Sequence, residues 1–198
     1  YLQANVANTS DCERIVKETV AAFGKLHIVV NSAGVYESGL IDSVSEEAYH
    51  RLMDINVKGT FFTCKYAVPE LVKSGGGAIV NVSSDAGLIG NSSCTLYCAS
   101  KGAVTLFTKA LSIDVAKQNI RVNCVCPGDI LTPMFDEDMA KASNPNAYMK
   151  EMKAQYPTGT IGKPEEVAAT ICLLASDLVP FVVGAAWSID GGLTAAGY

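Results

Sequence analysis

The segment Ala78-Ile79-Val80-Asn81-Val82-Ser83-Ser84 decides the fold, because it is a mostly apolar run of strand length that ends in two small polar residues. Three glycines at 75–77 precede it as a loop, and an apolar pattern of helical period follows at about 95–117. The next apolar run, Ile120–Cys126, has strand length again. Strands that are apolar throughout and alternate with helices indicate a parallel sheet with helices on both faces.

The same alternation extends in both directions along the chain. The other predicted elements are a strand at 2–6, a helix that starts with a capping box at Ser10 and ends at Gly24, a strand at 26–30, helices over 45–73 and 164–175, and a strand at 185–189. No repeat or linker interrupts this order, so residues 1–198 are predicted to form a single domain. Residues 129–162 have no regular pattern and are predicted to form a substrate lid near the strand ends.

Composition excludes several classes of function. The chain has 198 residues, of which 49% are apolar, and its formal net charge is −5. The Lys and Arg residues form no cluster in this acidic chain, which argues against a surface that binds nucleic acid. No apolar run approaches the roughly 18–20 residues that a membrane span needs. We therefore expect a protein with a substantial core and with neither nucleic acid nor membrane as partner.

The cysteines favour a reducing compartment. There are seven, at scattered spacing and mostly within apolar segments, so we interpret them as reduced thiols of a cytoplasmic protein. No Cys-x-x-Cys pair occurs, and the two histidines, His27 and His50, are far apart. We therefore expect no metal site.

Candidate chemistry lies after the predicted strands, where parallel sheets bind their ligands. Tyr97 and Lys101 are four residues apart on a predicted helix, so they share a face. A neighbouring ammonium is expected to lower the pKa of a phenol and make it a usable general acid and base. Ser84 follows a strand and Asn56 lies within a helix, although serines are common in turns and helical asparagines are usually solvated.

Taken in order, these segments resemble the classical short-chain dehydrogenase/reductase family. The matching segments are Asn31-Ser32-Ala33-Gly34, Asn56-Val57-Lys58-Gly59, Asn81-Val82-Ser83-Ser84, Tyr97-Cys98-Ala99-Ser100-Lys101, Ile120-Arg121-Val122-Asn123, Pro127-Gly128 and Ile189-Asp190-Gly191-Gly192. The resemblance extends from about residue 2 to 194. It implies a Rossmann-like, doubly wound parallel sheet in three α/β/α layers, and hydride transfer between a nicotinamide and an alcohol/ketone pair.

The resemblance also implies roles for individual residues. Tyr97 would be the acid/base, Ser84 would hold the substrate oxygen, and Asn56 would anchor a water in the proton relay. Lys101 would lower the Tyr97 pKa and bind the nicotinamide ribose. The further cofactor contacts would come from Asn5, Val6, Asn31, Ala33, Gly34, Pro127, Gly128, Ile130 and Thr132.

One feature of the family is not found. Neither G-x-G-x-x-G nor G-x-x-x-G-x-G occurs in the 198 residues, although the family binds the cofactor pyrophosphate at such a turn. We therefore expect that about one strand-helix-strand unit and its next helix are missing before Tyr1, and that an apolar sheet edge is exposed there. The residue that selects NAD or NADP would lie in that unit, so the cofactor is NAD or NADP, with NAD slightly favoured.

Two classes of function remain open. The first is an NAD(P)-dependent oxidoreductase acting on a secondary alcohol or ketone, and the second is a non-catalytic remnant or assembly partner that does not bind the cofactor. An epimerase or dehydratase with the same Tyr/Lys pair is a weaker alternative. The Met- and Tyr-rich lid favours an apolar or cyclic alcohol, unless its side chains cover the core instead. Apolar residues on several faces of the long helices predict a homo-oligomer, a tetramer or dimer.

Overall fold

The computed structural model describes residues 1–196. Its strands are β1 (Ile28–Asn31), β2 (Gly77–Val82), β3 (Ile120–Pro127) and β4 (Ala186–Ile189). Its α-helices are α1 (Thr9–Phe23), α2 (Glu46–Met53), α3 (Thr60–Lys73), α4 (Thr95–Val115), α5 (Pro133–Met139), α6 (Pro145–Ala154) and α7 (Pro164–Ala175). Short 3₁₀ turns occupy 41–43, 85–87 and 116–118, and a π-helical turn joins α2 to α3 at Asp54–Gly59.

The four strands form one parallel sheet in the order β1-β2-β3-β4. Val30 pairs with Val80, and Val80 pairs with Asn123, so side chains at these positions share one face. Because every strand runs in the same direction, all four carboxyl ends meet at one edge of the sheet. This edge carries the segments that follow β1, β2 and β3.

Helices cover both faces of the sheet, as predicted. On one face, α1, α3 and α4 pack a core that includes Leu71, Ile79 and Val122. On the other face, Leu174 of α7 packs against Val80 and Val125. The three-layer, Rossmann-like α/β/α arrangement is thereby confirmed.

The outer strand β1 is covered on one face only. Val29 lies in the core, whereas Ile28 is 50% exposed and Val30 is 42% exposed. The helix α7, which covers the corresponding face of β2 and β3, does not extend over β1. An apolar edge of the sheet is therefore exposed at β1.

Three local predictions were wrong. Residues 2–5 are exposed and form no strand, because an extended segment needs a hydrogen-bonded neighbour and this one has none within residues 1–196. The helix α1 begins at Thr9 with Asn8 as its N-cap, so Ser10 lies inside the helix. The region 129–162 contains the two short helices α5 and α6, each with a proline in its first turn.

The remaining boundaries agree closely with the sequence pattern. Gly24 ends α1 in the left-handed conformation (φ 79°), and its N–H donates to the Val20 carbonyl. Ser45 caps α2 by accepting a hydrogen bond from the Ala48 N–H at 3.1 Å. All seven cysteines are free thiols. Among the described helices, none has both the length and the apolar character that a bilayer crossing requires.

Candidate active site

Ser84, Tyr97 and Lys101 meet at the carboxyl edge of the sheet. Ser84 follows β2 and is the N-cap of the 3₁₀ turn at 85–87, where its Oγ accepts a hydrogen bond from the Ala86 N–H at 3.2 Å. Tyr97 and Lys101 lie in the first two turns of α4, one turn apart. Ser84 is close enough to Tyr97 to influence its pKa. The strand-helix connection after β2 therefore brings together the three residues that the sequence pattern singled out.

Lys101 is held in a buried position beneath the tyrosine. Its Nζ donates to the Val82 carbonyl at 3.0 Å and lies 5.6 Å from the centre of the Tyr97 ring. Lys101 is only 5% exposed, and this burial lowers its pKa to about 8. The amine is therefore still predominantly an ammonium at pH 7.

The expectation that Lys101 lowers the Tyr97 pKa was wrong for this structure. The Tyr97 pKa is raised to about 12, mainly by burial and to a smaller extent by the neighbouring Asp85 carboxylate, against a lowering contribution from Ser84. Removing the phenol from water disfavours the charged phenolate, and this outweighs an ammonium that lies beside the ring. Tyr97 is accordingly a protonated phenol at neutral pH.

Asn56 lies in the π-helical turn rather than in a regular helix, and it is fully buried. Its Oδ1 accepts from the Val35 N–H at 2.8 Å, and its Nδ2 donates to the Val35 carbonyl at 2.9 Å and to Ser100 Oγ at 3.2 Å. Isolated π-turns inside helices are frequent at functional sites. Asn56 thus joins the loop after β1 to α4 next to the catalytic candidates.

The loop after β1 lies between this cluster and an open groove. A Cβ added to Gly34 would lie at ordinary contact distance from both groups, 3.4 Å from Asn56 Oδ1 and 3.6 Å from Lys101 Nζ, so the Gly34 backbone lies next to them. Asn31 donates to Asn81 Oδ1 at 2.8 Å and so links β1 to β2. Val6, Asn31 and Ala33 line a groove of about 270 Å³ beside β1. Asn5 lies outside the groove, exposed, with its N–H donating to Asp11.

The segment after β3 forms the opposite side of the site. Pro127 ends β3, and a Cβ on Gly128 would lie 2.8 Å from the Tyr156 ring. Ile130 forms a β-bridge to Gly162, and Thr132 is the N-cap of α5. Apart from Asn5 and Val6, which precede α1, the predicted cofactor residues lie after β1, after β3 and in the tyrosine cluster after β2 between them.

Several polar residues of the site were missed in the sequence. Asp85 accepts hydrogen bonds from Ser84 Oγ at 2.7 Å and from Asn91 Nδ2 at 3.0 Å. Asp129 is largely buried, which raises its pKa, and its N–H donates to the Tyr156 hydroxyl at 2.7 Å. The signal that could have found both aspartates is their position directly after a strand-end motif.

Aromatic and lid residues enclose the site. The Tyr36 ring contacts Tyr97 edge-on, with 5.0 Å between ring centres. In the lid, Phe135, Tyr156 and Ile161 are buried in a small cluster with Leu193, against which Tyr148 and three methionines pack. The alternative was that these apolar side chains cover the core from short helices, and they do pack together in a buried cluster, in part from α5 and α6. They are therefore weak evidence for an apolar substrate.

Comparison with known proteins identifies the family. The family model described as enoyl-(acyl carrier protein) reductase matches residues 1–194. The chain is 39% identical to an L-fucose dehydrogenase of Mus musculus, over 97% of this chain and 70% of the relative. It is also 39% identical to a cyclohexanol dehydrogenase of Acinetobacter sp. (strain SE19), over 97% and 73% of the two chains. The chain belongs to the short-chain dehydrogenase/reductase family.

A solved structure of ElxO with NADP bound superimposes with a TM-score of 0.90 and 32% identity, covering 98% of this chain and 77% of that chain. This short-chain dehydrogenase/reductase is thus an oxidoreductase with the parallel-sheet fold of its relatives. On this side of the site, the residues that would hold a nicotinamide dinucleotide are Asn31 and Ala33, which line the groove, and Gly34, whose backbone lies near Lys101. The glycine-rich sequence that would bind the pyrophosphate is not among the 198 residues.

Proposed function

We propose that this short-chain dehydrogenase/reductase interconverts a secondary alcohol and its ketone, with Tyr97 as the proton donor and acceptor. The observation that carries the proposal is the placement of Ser84, Tyr97 and Lys101 together at the carboxyl edge of the sheet. General acid–base catalysis needs such a positioned group within reach of the reacting oxygen. Asn56 and Ser84 complete the proposed catalytic set.

The proton chemistry follows from the protonation state of Tyr97. With a pKa of about 12, the phenol is protonated at neutral pH and can donate to the oxygen of a ketone. In the opposite direction it must first lose its proton, so alcohol oxidation is expected to accelerate as the pH rises. The Lys101 ammonium beside the ring stabilises the negative charge that develops on the phenol oxygen.

The cofactor of this reaction is NAD or NADP. The residues that would hold its adenine side are Asn5, Val6, Asn31, Ala33 and Gly34, and those that would hold its nicotinamide side are Tyr97, Lys101, Pro127, Gly128, Ile130 and Thr132. When bound, the nicotinamide supplies or accepts the hydride. The slight preference for NAD stays a prediction, since the structural relative with a bound cofactor contains NADP.

The proposed substrate is a secondary alcohol on a six-membered ring. The names of two relatives, L-fucose dehydrogenase and cyclohexanol dehydrogenase, share this chemistry. The carboxylates of Asp85 and Asp129 near Tyr97 favour a substrate with additional hydroxyl groups over a purely apolar one. Residues 129–162, with α5 and α6, would form the lid over this substrate.

We also propose a cytoplasmic homo-oligomer, a tetramer or dimer. Leu106 and Ile113 lie one heptad apart on α4 and are 70% and 77% exposed, and the exposed Phe61 of α3 contacts the ring of Phe107 on α4. Apolar residues in such a stripe favour contact with another subunit. Light scattering at micromolar concentration is expected to give a mass of two or four chains, and a monomer would contradict this.

The test is a screen for turnover with both cofactors. The 198-residue chain and its Tyr97→Phe variant are assayed by nicotinamide absorbance with L-fucose, other aldohexoses, cyclohexanol and cyclohexanone. We expect turnover only where Tyr97 is present. A fluorescence titration with NADH and NADPH is run alongside, because a chain that binds neither cofactor and turns over nothing is the non-catalytic alternative. Full activity of Tyr97→Phe would contradict the proposed mechanism.

A further inference from the structure

The loop after β1 is fixed to neighbouring segments on both sides of Tyr36. Val35, the residue before it, is held by Asn56, whose Oδ1 accepts from the Val35 N–H at 2.8 Å and whose Nδ2 donates to the Val35 carbonyl at 2.9 Å. On the other side, the Gly39 N–H donates to the Ser93 carbonyl at 2.7 Å. The backbone that carries Tyr36 is therefore held at both ends of a short segment.

The side chain of Tyr36 extends from this loop to Tyr97. The two ring centres are 5.0 Å apart and the ring planes meet at 81°, which is a favourable arrangement for a pair of aromatic rings. The Tyr36 hydroxyl lies 3.3 Å from Cys94 Sγ, within hydrogen-bonding distance for sulfur. Both the ring and the hydroxyl of Tyr36 therefore have partners near the start of α4.

The orientation of the Tyr97 ring depends on the groups that lie against it. The helix α4 fixes the backbone of Tyr97, but the outer side-chain torsion of a tyrosine has only a broad intrinsic preference. One group beside the ring is the Lys101 ammonium, 5.6 Å from the ring centre and bonded to the Val82 carbonyl. The other is the Tyr36 ring, which is the larger of the two contacts.

We propose that Tyr36 is a positioning residue that holds the Tyr97 ring in the orientation required for proton transfer. The inference rests on the role of Tyr97 in the proposed function. A general acid must lie within hydrogen-bonding reach of the reacting oxygen, and a displacement of about 1 Å can cost on the order of 10²-fold in rate. Asn56 then has a second role, because it holds the backbone next to Tyr36.

Two substitutions separate the ring of Tyr36 from its hydroxyl. Tyr36→Leu removes the ring that lies against Tyr97, whereas Tyr36→Phe retains the ring and removes only the hydroxyl near Cys94. With the best substrate of the screen, Tyr36→Leu is expected to lower kcat by about 10–100-fold and to leave KM within about twofold, because a displaced proton donor slows the chemical step. Tyr36→Phe is expected to keep kcat within about threefold of the parent, because it keeps the aromatic contact.

A second readout needs neither cofactor nor turnover. The chain is labelled with tyrosine that carries ¹³C at the ε carbons, and NMR relaxation gives an order parameter for each ring. Tyr97 is assigned by the signal that disappears in Tyr97→Phe. We expect a rigid Tyr97 ring in the parent and in Tyr36→Phe, and an order parameter below about 0.6, typical of flexible groups, in Tyr36→Leu. This readout distinguishes a failure of the inference from a failure of the proposed function.

The matched control is Tyr49→Leu. Tyr49 lies on α2 and forms a perpendicular pair with His50, with 5.7 Å between the ring centres. The control removes a tyrosine ring from the same kind of contact, but from one in which Tyr97 takes no part. It is expected to leave both kcat and the order parameter of Tyr97 unchanged. If Tyr36→Leu does not fold, Tyr36→Met takes its place, because methionine retains more of the side-chain length and is flexible enough to fill the site.

Two results would overturn the proposal. One is an unchanged order parameter of Tyr97 in Tyr36→Leu, which would show that the Tyr97 ring is held without Tyr36. The other is a raised KM with kcat at the parent level in the same variant, which would show that Tyr36 contacts the substrate and does not position Tyr97.

Discussion

The strands β1 and β2 are nearly the same in sequence and differ in their surroundings. Ile28-Val29-Val30-Asn31 pairs residue for residue with Ala78-Ile79-Val80-Asn81. All four of these β2 residues are buried, whereas two of the four in β1 are exposed. Asn31 and Asn81 occupy paired positions in the two strands, and the Asn31 amide donates to Asn81 Oδ1. An apolar strand pattern therefore predicts the strand and its partner, but not whether both of its faces are covered.

The segments after the two strands differ in the same way. After β2, Ser84 lies against Asp85, Ala86 and Tyr97. After β1, Ser32 lines the open groove. The candidate catalytic residues therefore follow β2, the strand that is covered on both faces. Burial there fixes the directions of hydroxyl groups and shifts the pKa values of side chains. The open strand supplies small residues that a ligand can approach closely.

The largest expected effect comes from replacing Ser84 and Ser32, the serines that follow the two strands, with alanine one at a time. Ser84→Ala is expected to reduce kcat by about 10²–10³-fold, because the proposed mechanism assigns to Ser84 the binding of the reacting oxygen. Ser32→Ala is expected to change the cofactor KM at most and to leave kcat within about twofold of the parent. Steady-state kinetics with the best substrate of the screen measures both. Equal losses of kcat would remove the functional distinction between the two strand ends.

A second pair tests the difference in burial. Val80→Ala leaves a cavity beneath α7 and is expected to lower the free energy of unfolding by about 2–3 kcal/mol. Val30→Ala, at the paired position of β1, is expected to cost less than about 1 kcal/mol, since Val30 already faces solvent. Urea unfolding of both variants gives the comparison. Similar losses would mean that the β1 face is covered in solution, for example by another copy of the chain.

The sequence predicted what depends on local pattern. The apolar runs and the glycines near them placed β1 to β4, and the four-residue spacing placed Tyr97 and Lys101 on one face of α4. The family resemblance then placed Ser84 and Gly34 beside them. Each of these predictions needs only the chain near the residue concerned, or a motif already known to fold in one way.

The predictions that failed depend on distant neighbours. Residues 2–5 have strand character but no partner strand within residues 1–196, and Ser10 matches a capping box although the helix begins earlier, at Thr9. The Tyr97 pKa depends on burial, which residue spacing does not reveal. The position of the Asp85 carboxylate depends on hydrogen bonds from the Ser84 hydroxyl and from an asparagine six residues away.

The third prediction concerns Lys101 of α4, whose buried ammonium donates to the Val82 carbonyl at the end of β2. Its pKa is lowered from 10.5 to about 8, so the folded state binds its proton more weakly than the unfolded state does. The parent chain should therefore gain stability as the pH rises from 8 to 10.5. Lys101→Met is expected to be more stable than the parent at pH 7 by on the order of 1–2 kcal/mol, since the lost bond to Val82 offsets part of the relieved burial.

The stability difference between Lys101→Met and the parent is expected to shrink across that pH range, as the parent loses its buried charge. Urea unfolding at several pH values between 6 and 11 measures it. The variant should also be nearly inactive, so that stability and activity change in opposite directions. A difference that stays constant with pH would show that the Lys101 charge is not destabilising in the folded chain.

The smallest expected effect comes from the N-cap residues of α2 and α1, two helices that precede β2 and β1 in the chain. Ser45 caps α2 on the way to β2 through a hydrogen bond from the Ala48 N–H, so Ser45→Ala is expected to cost about 1 kcal/mol. Asn8 is the N-cap of α1 before β1 and its side chain makes no capping bond, so Asn8→Ala is expected to cost less than about 0.5 kcal/mol. Thermal unfolding of the two variants compares them directly. If Asn8→Ala were the more damaging change, the asparagine side chain would have to stabilise the start of α1. The helix before β1 would then depend on its N-cap side chain as much as α2 depends on Ser45.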